Sequence, residues 1–295
     1  MKKSIVAVAA SAVVLPLFAE EAAAEEAAKN VEEAKCPISA EVTVDFLSDY
    51  MWRGVILDAN PVYQPSVTIN YETEDYGSVY FNYWTSLDLT HKRNNCGGGG
   101  NSRRNGSMIE QDFTIAYCNS LDLGDAGKLS YEFGHYWYDY PYNGPHHKAG
   151  SLSSDLYADL SWDSGYVTLG TKLLWAYSNA HDHEPATLYA LFSVSKEFEI
   201  AEIDGLSLTP EASLGVGNVA FVQNNTGMHG ASTEMTDQTL TLKAKYKIND
   251  YVSLGANINY TWTPSRSLRH ARYMSCGDDN AHQIVWGGVS VTLAF

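Results

Sequence analysis

The chain has 295 residues and a formal net charge of −16, and it contains 20 Tyr, 7 Trp and 23 Gly. This composition, with a slightly negative mean hydropathy, favours many amphipathic strands over a helical protein. The acidity argues against nucleic acid as a partner, although solubility alone would explain it equally well. The four cysteines match no zinc spacing, so no metal or other cofactor is predicted.

The N-terminus has the pattern of a secretory signal peptide. Met1-Lys2-Lys3 is followed by an apolar run, 4–18, and by small residues at Ala19 and Ala24. The run is too short to cross a membrane as a helix. We therefore predict a signal peptide at 1–19, with cleavage as late as 24. An Ala/Glu-rich periplasmic lead-in at 20–38, flexible or helical, precedes the folded part at 39–295.

From Ser39 onward, segments of about ten residues alternate apolar with polar side chains and are separated by turn residues, which is typical of membrane strands. We predict about twelve strands. Their approximate bounds are 41–52, 62–72, 78–89, 108–119, 128–140, 153–163, 166–178, 186–198, 206–221, 236–248, 251–263 and 282–295.

The lengths of the connections alternate with the strands. Tight turns at 74–77, 164–165 and 249–250 follow even-numbered strands, whereas the loops after odd-numbered strands reach the length of 91–107 or 264–280. A soluble β-sandwich has no reason to sort its loops in this way. The pattern predicts an all-β fold, an antiparallel up-and-down barrel in the bacterial outer membrane, with short periplasmic turns and longer extracellular loops.

The last predicted strand ends on an aromatic residue, Phe295. Because the last strand of such a barrel must pair with the first to remove both edges, we expect 282–295 to pair with 41–52. Phe295 would then face lipid at the periplasmic rim. We predict that it is the assembly signal recognised by the barrel-assembly machinery.

The sequence Phe-Leu-Ser-Asp-Tyr-Met-Trp-Arg-Gly at 46–54, followed by Pro-Val-Tyr-Gln-Pro at 61–65, resembles the opening of the TorF-type porin family of Gram-negative bacteria. The resemblance covers the first two predicted strands. It implies a porin-like outer-membrane barrel. By position, Trp52 and Arg53 would lie at the outer rim of the first strand, with Arg53 pairing with carboxylates or lipid phosphate rather than with a substrate.

If the apolar side chains face lipid, the residues between them face the lumen. Opposite charges on different walls would create a field that orients dipolar or charged solutes. Alternatively, the charges neutralise one another in a closed interior, because twelve strands fall between filled and open barrels. Both interpretations stand at this point. The predicted pore-lining residues are Asp45, Glu110, Asp112, Glu132, Asp159, Lys172, Lys243, Lys245 and Lys247.

The predicted outer loops are basic, and guanidinium groups suit phosphate and carboxylate. They could bind lipopolysaccharide phosphates or an anionic solute, and ordinary solvated charge is an equally good explanation. The arginines are Arg103, Arg104, Arg266, Arg269 and Arg272. The same topology places Cys96 and Cys276 outside and Cys36 and Cys118 on the periplasmic side, which predicts two disulfides, one within each pair.

We predict no enzymatic activity. Histidines in the outer loops, including the sequence His-Asp-His-Glu at 181–184, could bind a metal or activate water, but a second carboxylate pair is missing. A lipid-facing His followed two residues later by Ser is missing at His135, where Trp137 stands instead. The predicted function is passive diffusion of small hydrophilic solutes. The alternatives are a closed structural or adhesion barrel that binds lipid or a partner through its basic loops and, third, a rim hydrolase using Asp182 and His183. The sequence leaves the oligomeric state open.

Overall fold

The computed structural model of the chain describes residues 36–73, 75–90, 108–140, 152–178, 186–226, 232–270 and 282–295. The first strands are β1 (Ile38–Leu47), β2 (Tyr50–Trp52), β3 (Val55–Asp58), β4 (Val62–Thr73), β5 (Gly77–Asp88), β6 (Met108–Asp122) and β7 (Lys128–Asp139). They are followed by β8 (Leu152–Asp163), β9 (Thr168–Ser178), β10 (Thr187–Ser195), β11 (Phe198–Glu199), β12 (Leu206–Gly217), helix α1 (Val219–Thr226), β13 (Glu234–Lys247), β14 (Val252–Trp262) and β15 (Gln283–Ala294).

Twelve long strands form one closed antiparallel barrel. Each long strand pairs with the next long strand along the chain, so that β1 pairs with β4 and β10 pairs with β12. The ring closes between β1 and β15, where the register runs from Glu41 opposite Ala294 to Leu47 opposite Gly288. The predicted strand number, topology and closure are confirmed. Closure leaves no sheet edge along this seam.

The outer surface of the barrel is apolar. Side chains such as Ile69, Phe81, Leu173, Ile258 and Val289 are exposed although they belong to central parts of their strands. An exposed apolar band around a closed barrel is the surface that lipid covers. The connections are short at one end, as at 164–167 and 248–251, and longer at the other. The chain is therefore an outer-membrane β-barrel, with its short turns in the periplasm.

Within the described ranges, no helix is long and apolar enough to cross a membrane.

Two predicted strands end about four or five residues earlier than expected, and in both places the chain turns into the lumen. β1 stops at Leu47, five residues before the predicted end, and β2 and β3 form a separate hairpin. Its turn is Arg53-Gly54, with φ of +46° and +81°, which is the two-residue turn that suits hairpin twist. β12 stops at Gly217, because the Oδ1 of Asn218 accepts a hydrogen bond from the N–H of Phe221 (2.8 Å) and starts α1.

Candidate functional site: the barrel lumen

The outer half of the lumen is occupied by two inward-folded segments. We call the hairpin 50–58 together with α1 the outer plug. The hairpin leaves the wall after β1 and reaches strands that do not neighbour β1. Tyr50 Oη donates a hydrogen bond to Glu110 on β6 (2.9 Å). At the turn, a Cβ added to Gly54 would lie 2.9 Å from the carbonyl oxygen of Thr236 on β13, so only glycine fits there.

Arg53 anchors the tip of the hairpin. Its Nη2 donates to Asp155 Oδ2 (2.6 Å) and to Tyr138 Oη (2.9 Å), and the two charged side chains are only 10% and 3% exposed. The guanidinium also lies 4.3 Å from the ring centre of Trp52 and 5.4 Å from that of Tyr189. The left-handed conformation of Arg53 costs about 1–2 kcal/mol. The contacts of its guanidinium offset this cost.

Arg53 pairs with a carboxylate, as expected, but its predicted position is wrong. It was expected at the outer rim of the first strand with Trp52. Instead, both residues lie inside the lumen, because β1 ends before them and the hairpin folds inward.

An apolar core joins the hairpin to α1. The rings of Trp52 and Phe221 stack with centroids 5.9 Å apart, and Phe221 also meets Tyr189 at 5.3 Å. Phe221 and Val222 are almost completely buried, and Leu174 on β9 packs against them. This part of the lumen resembles the interior of a soluble domain more than a water-filled channel.

Two predicted pore-lining carboxylates lie beneath the plug. Glu110 faces inward but is completely buried, with Tyr50 bonded to its Oε2. Asp112, two residues further along the same face of β6, is partly buried. Glu110 lines no open passage in this structure, because the hairpin covers it. The interpretation of a closed interior therefore describes the outer half.

At mid-height, charged and tyrosine side chains form a network on one wall. Lys172 Nζ lies 3.4 Å from Asp159 and donates to Tyr136 Oη (3.0 Å). Its ammonium also lies 4.4 Å from the ring centre of Tyr157. Glu132 accepts a hydrogen bond from the Tyr157 hydroxyl (2.5 Å). Three predicted lumen residues, Glu132, Asp159 and Lys172, are thus brought together on β7, β8 and β9.

The periplasmic half contains two cavities. One, of about 660 Å³, is lined by Lys243, Lys245, Lys247 and Asp45 together with small polar residues of β14 and β15. The other, of about 650 Å³, is lined by residues of β4 to β8 that include Glu132 and Asp159. Lysines and carboxylates line both cavities, with the three lysines of β13 in the first and Glu132 and Asp159 in the second. We call these two cavities together the periplasmic vestibule.

Two of the three vestibule lysines have acidic neighbours. Lys243 Nζ lies 2.9 Å from Glu211, and Lys247 Nζ lies 2.7 Å from Asp250 in the turn after β13. The hydrogen bond and the positive charge of Lys247 lower the pKa of Asp250 below its ordinary value. Both pairs are solvent-accessible, so they remain available to a solute in the vestibule.

The remaining predicted residues are dispersed. Arg266 is exposed and Arg269 partly buried in the outer segment 266–270, whereas Arg103, Arg104 and Arg272 lie outside the described residues. The expected disulfide between Cys36 and Cys118 is not formed: both thiols are free, and Cys118 Sγ lies 3.0 Å from Ser78 Oγ within the barrel wall. Cys96 and Cys276 also lie outside the described residues, as do Asp182 and His183 and the rest of 181–184.

Phe295 lies beside β1 at the periplasmic end of the barrel. Its N–H donates to the carbonyl of Ala40 (2.8 Å), and its carbonyl accepts from the Ala40 N–H (3.1 Å). The ring is 71% exposed. The structure thus gives the terminal ring the periplasmic position expected of it.

The barrel exterior carries a histidine. His135 lies on the lipid-facing side with its Nε2 2.6 Å from Tyr177 Oη, and its ring is 3.9 Å from that of Trp137. Two residues after His135, where a lipid-facing hydrolase site would need a nucleophilic serine, the chain has the indole of Trp137. Across the described parts of the chain, no group of three or more His, Cys, Asp or Glu side chains is placed to hold a metal ion.

Neither a protein-family model nor a curated protein matches this chain. Among solved structures, it is similar to a KdgM porin at 8% identity and a TM-score of 0.43, over 87% of this chain and 99% of the porin. It is also similar to outer membrane phospholipase A from Escherichia coli, at 12% identity and a TM-score of 0.42, over 86% and 92% of the two chains. A third similar structure is the translocator domain of the autotransporter NalP from Neisseria meningitidis, at 13% identity and a TM-score of 0.38, over 88% of each chain. The assignment of the fold rests on the strand pairing described above.

Proposed function

We propose that the protein is a porin-like channel for passive diffusion of small hydrophilic solutes. The observation that carries this proposal is the periplasmic vestibule, in which solvent-accessible lysines of β13 share the lumen with carboxylates of other strands. Such a transverse field attracts and orients polar solutes. A structural barrel needs no vestibule of this kind.

The outer plug makes this channel a gated one in our proposal. The hairpin is joined to the wall through side chains, chiefly Tyr50 to Glu110 and Arg53 to Asp155. A solute passes when these contacts open and the hairpin moves aside. The closed conformation is the one described here.

The first test of the proposal is planar-bilayer recording of the purified barrel. We expect discrete conductance steps. Replacing Lys243, Lys245 and Lys247 together by Gln should shift the ion preference of the pore toward cations, because the facing carboxylates remain. Lys196→Gln is the matched control, since Lys196 lies at a periplasmic turn and donates to the carbonyl of Gly165 (2.7 Å). A barrel that never conducts, even with the plug loosened by Arg53→Ala, contradicts the proposal.

The filled outer half favours a second candidate, a closed structural or adhesion barrel. In that case the protein never conducts, and its outer arginines bind lipopolysaccharide phosphates or an anionic partner. Vesicles that contain lipopolysaccharide would bind the wild type and would bind less of a variant in which the arginines are neutralised. The arginines to replace are Arg103, Arg104, Arg266, Arg269 and Arg272. Conductance separates this candidate from the first.

We further propose that the chain is related to the TorF-type porins through its hairpin motif. In this protein Tyr50, Trp52, Arg53 and Gly54 each have a specific contact in the plug. We would make the equivalent substitutions in another TorF-type porin and measure its conductance. A changed conductance would support the relation, and an unchanged one would oppose it.

Phe295 is proposed to be the recognition point for the barrel-assembly machinery, because its ring is exposed at the end of the closing strand. Deleting Phe295 should lower the yield of folded protein in the outer membrane and leave the conductance of the surviving protein unchanged. Heat-modifiable electrophoresis of membrane fractions measures the yield. An unchanged yield argues against the role.

A further inference from the structure

A row of four lumen residues crosses four neighbouring strands in the vestibule. Lys245 on β13 is opposite Gly255 on β14, Gly255 is opposite Ser290 on β15, and Ser290 is opposite Asp45 on β1. All four line the same cavity of about 660 Å³. The row therefore has an ammonium group at one end and a carboxylate at the other.

Among the described residues, the two end charges have no ionic partner, unlike the other two vestibule lysines. Lys243 pairs with Glu211 and Lys247 with Asp250. Within the described part of the chain, neither Lys245 nor Asp45 makes a side-chain hydrogen bond or an ion pair. Two opposite charges that face one cavity without contacting each other can both be paired by a ligand that carries one negative and one positive group.

The wall between the two charges carries only small or polar side chains. Gly255 has no side chain, and a Cβ there would lie 2.2 Å from Ser290 Oγ, so this position must remain glycine for the serine to keep its place. The row above passes through Asn257 and Gly288, and the row below through Ser253 and Thr292. Three strand spacings separate the backbones of Lys245 and Asp45, about 14 Å along the wall. Space for a small molecule thus lies over hydrogen-bonding groups.

We propose that this row is a binding site for short zwitterions, namely amino acids or small peptides, with the ligand carboxylate on Lys245 and the ligand ammonium on Asp45. A simple anion or cation leaves one of the two end charges opposed or unsatisfied, whereas a zwitterion pairs with both. Ser290 supplies a hydroxyl to the middle of the ligand. The inference rests on the proposed function in that this ligand would be the solute class that the channel admits.

Binding can be measured without conduction. The full-length barrel in detergent is titrated with glycylglycine and, separately, with its uncharged N-acetylated amide, and binding is followed by ligand-observed NMR. We expect the zwitterion to bind and the uncharged analogue to bind at least tenfold more weakly. Asp45→Asn and Lys245→Gln should each weaken glycylglycine about tenfold, which corresponds to one charge-assisted contact. The control Lys196→Gln should leave binding unchanged.

A charge exchange guards against misfolding as the cause of a loss. The double variant Asp45→Lys with Lys245→Glu retains both charges in reversed order and should recover most of the zwitterion binding. Equal binding of both probes, or equal binding by wild type, Asp45→Asn and Lys245→Gln, overturns the site. Conductance without zwitterion binding refutes the binding site but not the channel. Zwitterion binding by a barrel that never conducts supports the binding site and contradicts the channel.

Discussion

The two halves of the lumen are built from the same strands, but the outer half is filled and the periplasmic half is accessible to solvent. In the outer half, Arg53 and Asp155 are paired at 10% and 3% exposure among aromatic rings. In the periplasmic half, Lys243 and Glu211 are paired at 52% and 25% exposure beside small polar side chains. The difference arises from the connections, because the hairpin and α1 fold into one end only. Strand alternation alone therefore does not determine whether a barrel is filled.

Burial changes what a charged pair contributes. A buried pair that loses one partner leaves an unsatisfied charge and costs several kcal/mol, whereas an exposed pair contributes little. The same type of substitution should consequently act strongly in the outer half and weakly in the periplasmic half.

The largest effect is expected for Arg53→Ala. It leaves Asp155 buried without its cation, which should cost about 3–5 kcal/mol of plug stability. The hairpin should disengage, so that conductance rises and protease cleavage within 48–61 becomes detectable. The double variant with Asp155→Asn should be less affected than Arg53→Ala alone, because no buried charge remains. Unaltered conductance and cleavage in Arg53→Ala would show that the ion pair does not hold the plug.

Gly54→Ala should have an intermediate effect. The added Cβ meets the carbonyl of Thr236 at 2.9 Å, and φ is +81°. Strain of this kind costs about 1–3 kcal/mol. Hydrogen exchange of the hairpin amides should accelerate while the barrel strands remain protected. Gly165→Ala is a matched control, because it also has a positive φ but no heavy atom near the new Cβ.

In the periplasmic half, Lys243→Gln should change stability by less than about 1 kcal/mol, because its pair with Glu211 is solvent-exposed. Thermal unfolding in detergent, followed by electrophoretic mobility, provides the measurement. A loss of stability as large as that caused by Arg53→Ala would show that charged pairs in the two halves contribute equally.

The smallest effect concerns a single titration. Lys247 lowers the pKa of Asp250, so Lys247→Gln should raise that pKa back toward its ordinary value. A lowered carboxyl pKa in the folded state contributes stability above the ordinary pKa and loses it as the pH falls, so the variant should be less sensitive to acid in that range. NMR titration of the labelled Asp250 carboxyl tests this. An unchanged pKa would mean that the contact is absent in solution.

Much of the wall could be predicted from the sequence because pleated strands impose a period of two and because periplasmic turns are short. Lys243, Lys245 and Lys247 were placed in the lumen by that period alone. The hairpin was missed because Tyr50 and Trp52 continue the alternation of β1. The Arg53-Gly54 pair was a usable signal for a turn, and Asn218 was one for the start of α1.

Whether a loop folds inward depends on distant partners, which no local pattern reveals. Arg53 and Asp155 are 102 positions apart in the chain. The row from Lys245 to Asp45 was likewise invisible before the register was known, because its four members come from four strands. Here the sequence indicated the face of each residue but not its neighbours.

The contacts of the hairpin also constrain the order in which the molecule can be assembled. The hairpin lies near the beginning of the barrel sequence, yet its partners are on β6, β8 and β13 and in α1. Contacts over such sequence separations form late, since the intervening chain must first be ordered. The plug therefore cannot be completed until most of the wall exists. During biogenesis the protein should pass through a nearly complete, unplugged cylinder whose interior aromatic residues are still accessible to water.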